Sequence, residues 1–320
     1  MAYQNVGTPR FYVNAFEWLN RIGYFNIPDV FRMNPTNFKS YDFATNFGIP
    51  ADLFSDKAFI AILGHTFVSD GHSISVQSDG DFMILSQVAN SGSGYYMSPA
   101  NNGWSLATTS ELQFKDKVSI ETTDGVNVGF EINVGSTIVG NYFDMPYSPD
   151  LNLKLSYEYG GVKTIQSKSG ATLSNAMYTK PPDWGDTGAW QLGSGNPNFR
   201  TGRRMWDLSF SYLSDTDVFP INASTSQINI TSDGYNTTID PVDINTNEDL
   251  FFTNVLDGTD FFSQVWNKTL GNALPFIFQP DNSNANLDQF AICKFVGDSL
   301  TYNQVANNVY NIKLKIEEVW

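Results

Sequence analysis

The chain has 320 residues, of which 41% are hydrophobic and 16% charged, with 18 Lys and Arg against 33 Asp and Glu and a formal net charge of −15. That mixture builds sizeable cores under a neutral polar skin, and the length predicts two domains. A pI near 4.3 excludes electrostatic gripping of DNA or RNA, which needs clustered Lys and Arg to displace counterions.

Within residues 1–35, a strand is predicted over 10–13 and a helix over 15–22, closed by Gly23 as a C-terminal cap. From 36 to 160 the chain changes to short β-type runs at 59–63, 73–77, 82–87, 111–114, 118–121, 126–134 and 151–159. Asp79-Gly80 and Asp124-Gly125 mark hairpins, so this part reads as an antiparallel sandwich. Leu151, Leu153, Leu155, Tyr157 and Tyr159 alternate with polar residues and should bury one face. Gly160-Gly161 turns the chain into a connector, 161–202, whose stretch "TKPPDWGDTGAWQLGSGNPNFRTG" is too rich in Pro and Gly for a regular element.

Beyond that boundary, "WDLSFSYLS" sets Trp206, Leu208, Phe210 and Tyr212 on one face of a strand. Residues 214–247 form a long polar loop. "TDFFSQVWNKTLG" is the best helix, with Thr259 as N-cap, Phe261/Val265 and Phe262/Trp266 at i,i+4, and Gly271 past its end. "PFIFQP" is a short strand, and "QFAICKFV" a strand apolar on both faces. The chain ends in a hairpin, 299–305 and 309–319, around Ala306-Asn307-Asn308, with Ile312, Leu314 and Ile316 on its buried side.

The chemistry-bearing residues are few. Cys293 is alone, so neither an intrachain disulfide nor a Cys-based zinc site is available, and its apolar surroundings predict an inert thiol. His65 and His72 could hold a metal only with distant carboxylates, and both read as structural. "DNSNANLD" at 281–288 places oxygens at alternate positions, but counting from Asp281 puts Asn286 and Ile292 where a calcium loop needs Gly and Glu. The polar turn is the favoured reading. No phosphate loop, nucleophile elbow, zinc-protease or dinucleotide motif is present. Paired carboxylates for glycoside hydrolysis leave no sequence spacing, so that possibility stays open. The expectation is no enzyme, no cofactor and no metal.

The N-terminal "MAYQNVGTPRFYVN" lacks the features of a signal peptide, and no apolar run approaches membrane-spanning length, so a soluble, unprocessed chain without membrane insertion is expected. Sequons at Asn222, Asn229, Asn236 and Asn267 are no more than so Asn-rich a chain should hold by chance. One candidate binding patch stands out: Tyr95, Tyr96 and Trp104 beside Asn101 and Asn102, rings and amides of the kind that bind sugars. Packing of those rings under their own loop is the favoured alternative.

Three phrases, "GRRMWDLSFSYLSDTDVF", "LGNALPFIFQPDNSNANLDQFAICKF" and "VYNIKLKIEEVW", resemble the carboxyl half of tail proteins of tailed bacteriophages, marine ones especially. The order of strand, long loop, helix and closing strands is similar to the hub of distal tail and minor tail-tip proteins. The likeness covers 165–320 and extends to the first 35 residues. A looser one, on "FIAILGHTFVSDGHSISVQSDG" and "PYSPDLNLKLSYEYG", is to a galactose-binding-like β-jelly-roll inserted at 36–160. The resemblance implies a mainly β chain, α+β in its C-terminal part, with a tail-tube-like hub at 203–320 carrying one helix and the 1–35 segment packed on it. It implies a homo-oligomeric ring, of six subunits, between the tail tube and the baseplate or tip proteins. It implies a virion component assembled in the host cytoplasm, with a host surface glycan as a further partner. Trp184, Trp190, Arg203, Arg204, Asn282 and Asn284 are the expected assembly contacts. A carbohydrate- or receptor-binding module is the alternative.

Overall fold

The computed structural model describes residues 7–23, 29–33, 39–42, 44–48, 57–67, 71–78, 81–82, 84–89, 94–99, 102–109, 117–123, 131–158, 163–175, 203–220, 258–286 and 289–319. In chain order the strands begin with β1 (Arg10–Asn14), β2 (Lys39–Asp42), β3 (Ala44–Gly48), β4 (Ala58–His65), β5 (Ser73–Ser78), β6 (Asp81–Phe82) and β7 (Ser86–Ala89). They continue with β8 (Tyr96–Met97), β9 (Gly103–Thr109), β10 (Lys117–Thr123), β11 (Glu131–Val134), β12 (Ser136–Asp144), β13 (Lys154–Glu158), β14 (Lys163–Gln166) and β15 (Thr172–Asn175). The last are β16 (Arg203–Ser214), β17 (Phe276–Gln279), β18 (Ala291–Phe295), β19 (Tyr302–Ala306) and β20 (Val309–Glu318). Helix α1 spans Ala15–Arg21 and the single turn α2 spans Asp215–Val218.

The protein is mainly β. An 11-stranded sheet runs β13-β16-β20-β18-β17-β1-β12-β4-β9-β7, with β19 also on β20, and its neighbours are antiparallel. A five-stranded sheet joins β3, β10, β5, β6 and β8, while β2 with β11 and β14 with β15 form separate pairs. Strands from 1–35, from 36–160 and from 203–320 thus share one sheet, because β1 is hydrogen-bonded to β12 on one side and to β17 on the other.

Alternation explains the cores. Along β1, Phe11 and Val13 enter one cluster with Phe276, Phe278, Cys293 and Phe295, while Tyr12 enters another with Phe59, Ile277 and Ile292. Strands 17 and 18 are therefore covered on both faces, as expected for so apolar a sequence. Helix α1 starts where the Asn14 side chain accepts the Glu17 N–H at 3.2 Å and ends at Gly23, whose φ is 79°. Its Phe16, Trp18 and Leu19 pack with Ile60, Ile62 and Val139 in a third cluster. The chain leaves β1 for α1 across Gly140, where a Cβ would strike the Val13 carbonyl oxygen and the Ala15 nitrogen.

Several local expectations need correction. Leu151 is fully exposed and Tyr157 is 47% exposed, because β13 starts only at Lys154 and among the described residues pairs with β16 alone; Leu153 and Leu155 are the residues that pack on the core. Tyr212 does not share the buried face of Trp206, Leu208 and Phe210. A bulge between Phe210 and Leu213, with Tyr212 at φ 61°, inverts the alternation, leaving Tyr212 78% exposed and burying Leu213. The cap before Phe261 is Asp260, not Thr259: its carboxylate accepts the Ser263 N–H at 2.9 Å. That helix is a π turn, Phe262–Trp266, with Asn267 N–H bonded to Phe262 O and Gly271 N–H to Trp266 O. The predicted run at 82–87 is broken between β6 and β7; β2, β3, β8, β9 and β12 were not expected as strands, and the connector expected at 161–202 contains the β14–β15 hairpin. The 111–114 run, most of 126–134 and the 221–247 part of the long loop lie outside the described residues.

Candidate functional site

The feature that stands apart is the β13 end of the large sheet. Among the described residues strand β13 is an edge of that sheet, and an unpaired edge is a ready template for another chain. The chain continues from it into the β14–β15 hairpin, where Ile165 lies directly opposite Leu173 and the two are 64% and 61% exposed. Ser167 shapes its turn, accepting the Ala171 N–H at 3.0 Å, and Gly170 adopts φ 84°. A two-stranded hairpin with one apolar pair buries too little to hold itself. The loop before β13 is anchored on β16, with Asp150 accepting from Ser211 at 2.8 Å and donating its N–H to Ser209 O at 2.8 Å. Beside it in the chain stand Tyr147 and Leu151, 56% and 103% exposed, with Tyr157 following on β13 itself. Single exposed apolar residues are ordinary; here Ile165 and Leu173 form one exposed cross-strand pair, an apolar face that a partner can cover.

Of the residues expected at assembly contacts, Arg203 and Arg204 lie on β16 opposite Glu158 and Tyr157 of β13, and Asn282 and Asn284 lie in the turn at 281–286. Arg204 is an internal strut: its guanidinium meets Glu318 at 3.0 and 3.1 Å, donates to Phe290 O at 2.8 Å and lies over Trp206. Its neighbour Arg203 is exposed. Asn282 is spent within the chain, donating its side chain to Asp144 at 3.0 Å and its N–H to Thr8 O at 2.9 Å. Asp144 in turn holds Arg10 at 2.6 and 3.0 Å. Asn284 is equally occupied, its side chain accepting the Asn286 N–H and its carbonyl the Gln279 amide. The 281–286 stretch is thus a self-satisfied polar turn, with Asp281 accepting from the Ser283 N–H and hydroxyl. Trp184 and Trp190 lie outside the described residues.

The five-residue glycan patch does not assemble. Tyr95 and Tyr96 are 54% and 43% exposed, but Trp104 is 5% exposed on β9, edge to face with Phe290 at 5.2 Å. Only packing can explain that ring. Asn102 is half-buried and Asn101 lies outside the described residues.

His65 is buried, stacked on Phe67 at 4.4 Å and hydrogen-bonded to Ser105 Oγ at 2.8 Å, and burial pushes its pKa down to about 3. Burial also pushes the Cys293 thiol well up, which removes the thiolate that reactivity needs. Among the described residues no three His, Cys, Asp or Glu side chains are grouped to hold a metal ion, and no helix is long and apolar enough to cross a membrane.

Comparison with protein-family models, with curated proteins and with solved structures finds no match to this chain.

Proposed function

We propose that the chain is a structural subunit of a phage tail, joined to copies of itself in a six-membered ring between the tail tube and the baseplate or tip. The observation that carries this reading is the β13 edge, unpaired among the described residues, with the exposed hairpin pair Ile165 and Leu173. An edge of this kind gains main-chain hydrogen bonds and apolar burial when another sheet joins it. A heterologous contact between this edge and a different surface of the next copy closes into a ring when the rotation permits. The resemblance of the three C-terminal phrases to tail proteins suggests the assembly, and a net charge of −15 suits a lumen that DNA passes without sticking. In this reading the protein works in the virion, after assembly in the host cytoplasm, with the tube and tip proteins as partners.

Native mass spectrometry and negative-stain electron microscopy of the full chain test the proposal. A closed ring is the expected result; a monodisperse monomer at high concentration, with and without tail proteins, overturns it. The adjacent exposed rings of Tyr95 and Tyr96 favour a second reading, a glycan-binding module. Its test is a glycan array, on which Tyr95→Ala and Tyr96→Ala remove any sugar signal.

A further inference from the structure

A second surface feature is independent of the ring. Helix α1, the residues after the 3-10 turn Asp29–Phe31, the turn at 273–275 and the ends of β18 and β20 enclose a cleft of about 410 Å3. That is the size of a small-molecule site. Arg21, Arg32 and Lys294 line it, against one acid, Glu17. So concentrated a positive lining is unusual on a chain with 33 acidic and 18 basic residues.

The cations are weakly committed. The Arg21 guanidinium stands 3.8 Å from Glu17, and Glu17 is itself occupied, accepting the Met33 N–H at 3.1 Å. Arg32 meets Asp29 through Nη1 at 3.1 Å, while its Nε is buried and has no acceptor among the described residues. Lys294 has no ion-pair partner among the described residues. A buried donor without an acceptor is costly, so an oxygen ligand at Arg32 Nε is favoured. The remaining wall is apolar, built from Met33, Leu274, Ile292 and Val319.

We propose that this cleft binds a small organic monoanion, a carboxylate carried on an apolar chain or ring. The planar carboxylate matches the guanidinium edge of Arg32 and is steered by Lys294. The apolar tail lies against Ile292 and Leu274. Glu17 in the same wall selects against a doubly charged anion such as phosphate, because like charges at close range repel.

The test is calorimetric titration of the full chain with hexanoate, acetate, hexylamine, hexanol and inorganic phosphate. Hexanoate is expected to bind saturably and at least about tenfold more tightly than acetate, since each buried methylene strengthens binding about fourfold. Hexylamine, hexanol and phosphate are expected not to bind. Arg32→Gln and Lys294→Gln are each expected to weaken hexanoate about tenfold or more, as is loss of a charge-assisted hydrogen bond. The more exposed Arg21→Gln provides a third variant if either of those fails to fold by circular dichroism. No hexanoate binding, equal binding of hexylamine or phosphate, or unchanged affinity in the folded variants overturns the proposal.

Discussion

Trp104 and Phe290 meet edge to face at 5.2 Å, although four strands, β4, β12, β1 and β17, separate β9 from β18. Strands lie about 4.8 Å apart, so on a flat sheet these positions would be about 24 Å from each other. The sheet must bend around the cluster formed by Tyr12, Phe59, Ile277 and Ile292. Trp104→Ala is therefore expected to cost about 3–5 kcal/mol in urea unfolding, as other buried aromatic truncations do. A folded variant of unchanged stability would contradict that placement.

The Arg204–Glu318 pair ties the start of β16 to the end of β20, with side-chain exposures of 12% and 5%. Removing one partner leaves a buried charge, so Arg204→Met and Glu318→Leu are each expected to cost about 3–5 kcal/mol. The double variant should recover most of that loss, since two apolar residues bury no charge. A double-mutant cycle in urea measures the coupling.

His65 makes stability depend on pH. Its folded pKa is about 3 against an ordinary value of 6.5, so within that window the unfolded chain binds the proton and the folded chain does not. Stability is complete above pH 6.5 and is lost as pH falls, by ~1.4 kcal/mol per unit from this group. His65→Gln should flatten the slope of unfolding free energy between pH 6.5 and 5, read as a difference from the parent chain.

Gly140 faces Asn14 across the β1–β12 ladder, where an added Cβ meets backbone rather than a movable side chain. Gly140→Ala is expected to destabilise by about 3 kcal/mol or more, beyond ordinary overpacking, because β1 and β12 must separate. Thermal unfolding monitored by circular dichroism gives the shift.

Ile165→Lys and Leu173→Lys should leave the unfolding free energy of the monomer within about 0.5 kcal/mol, since both side chains are exposed. The same changes should abolish the ring in native mass spectra. Rings that survive both substitutions would place the contact away from the hairpin.

Local order was written plainly in this chain. The alternation of Ile312, Leu314 and Ile316 is buried as expected, Asn308 takes φ 57° at the terminal turn, and "QFAICKF" is covered on both faces. Side-chain period and turn chemistry act over a few residues, so they can be read without knowing the neighbours. The candidate edge was not legible: β14 and β15 lie in the stretch 161–202 that reads as a connector, and the alternation from Leu151 to Tyr157 looked like a half-buried strand. Which alternating face receives a cover depends on strand order, and β1 finds its partners at residues 140–144 and 276–279. No window of sequence contains that information. The chain by itself determined a mainly β protein with polar, self-satisfied turns. Tertiary structure alone decided that Trp104 is interior, that Tyr212 and Leu151 are outside, and that Arg204 is a strut, because burial is a property of what packs from a distance.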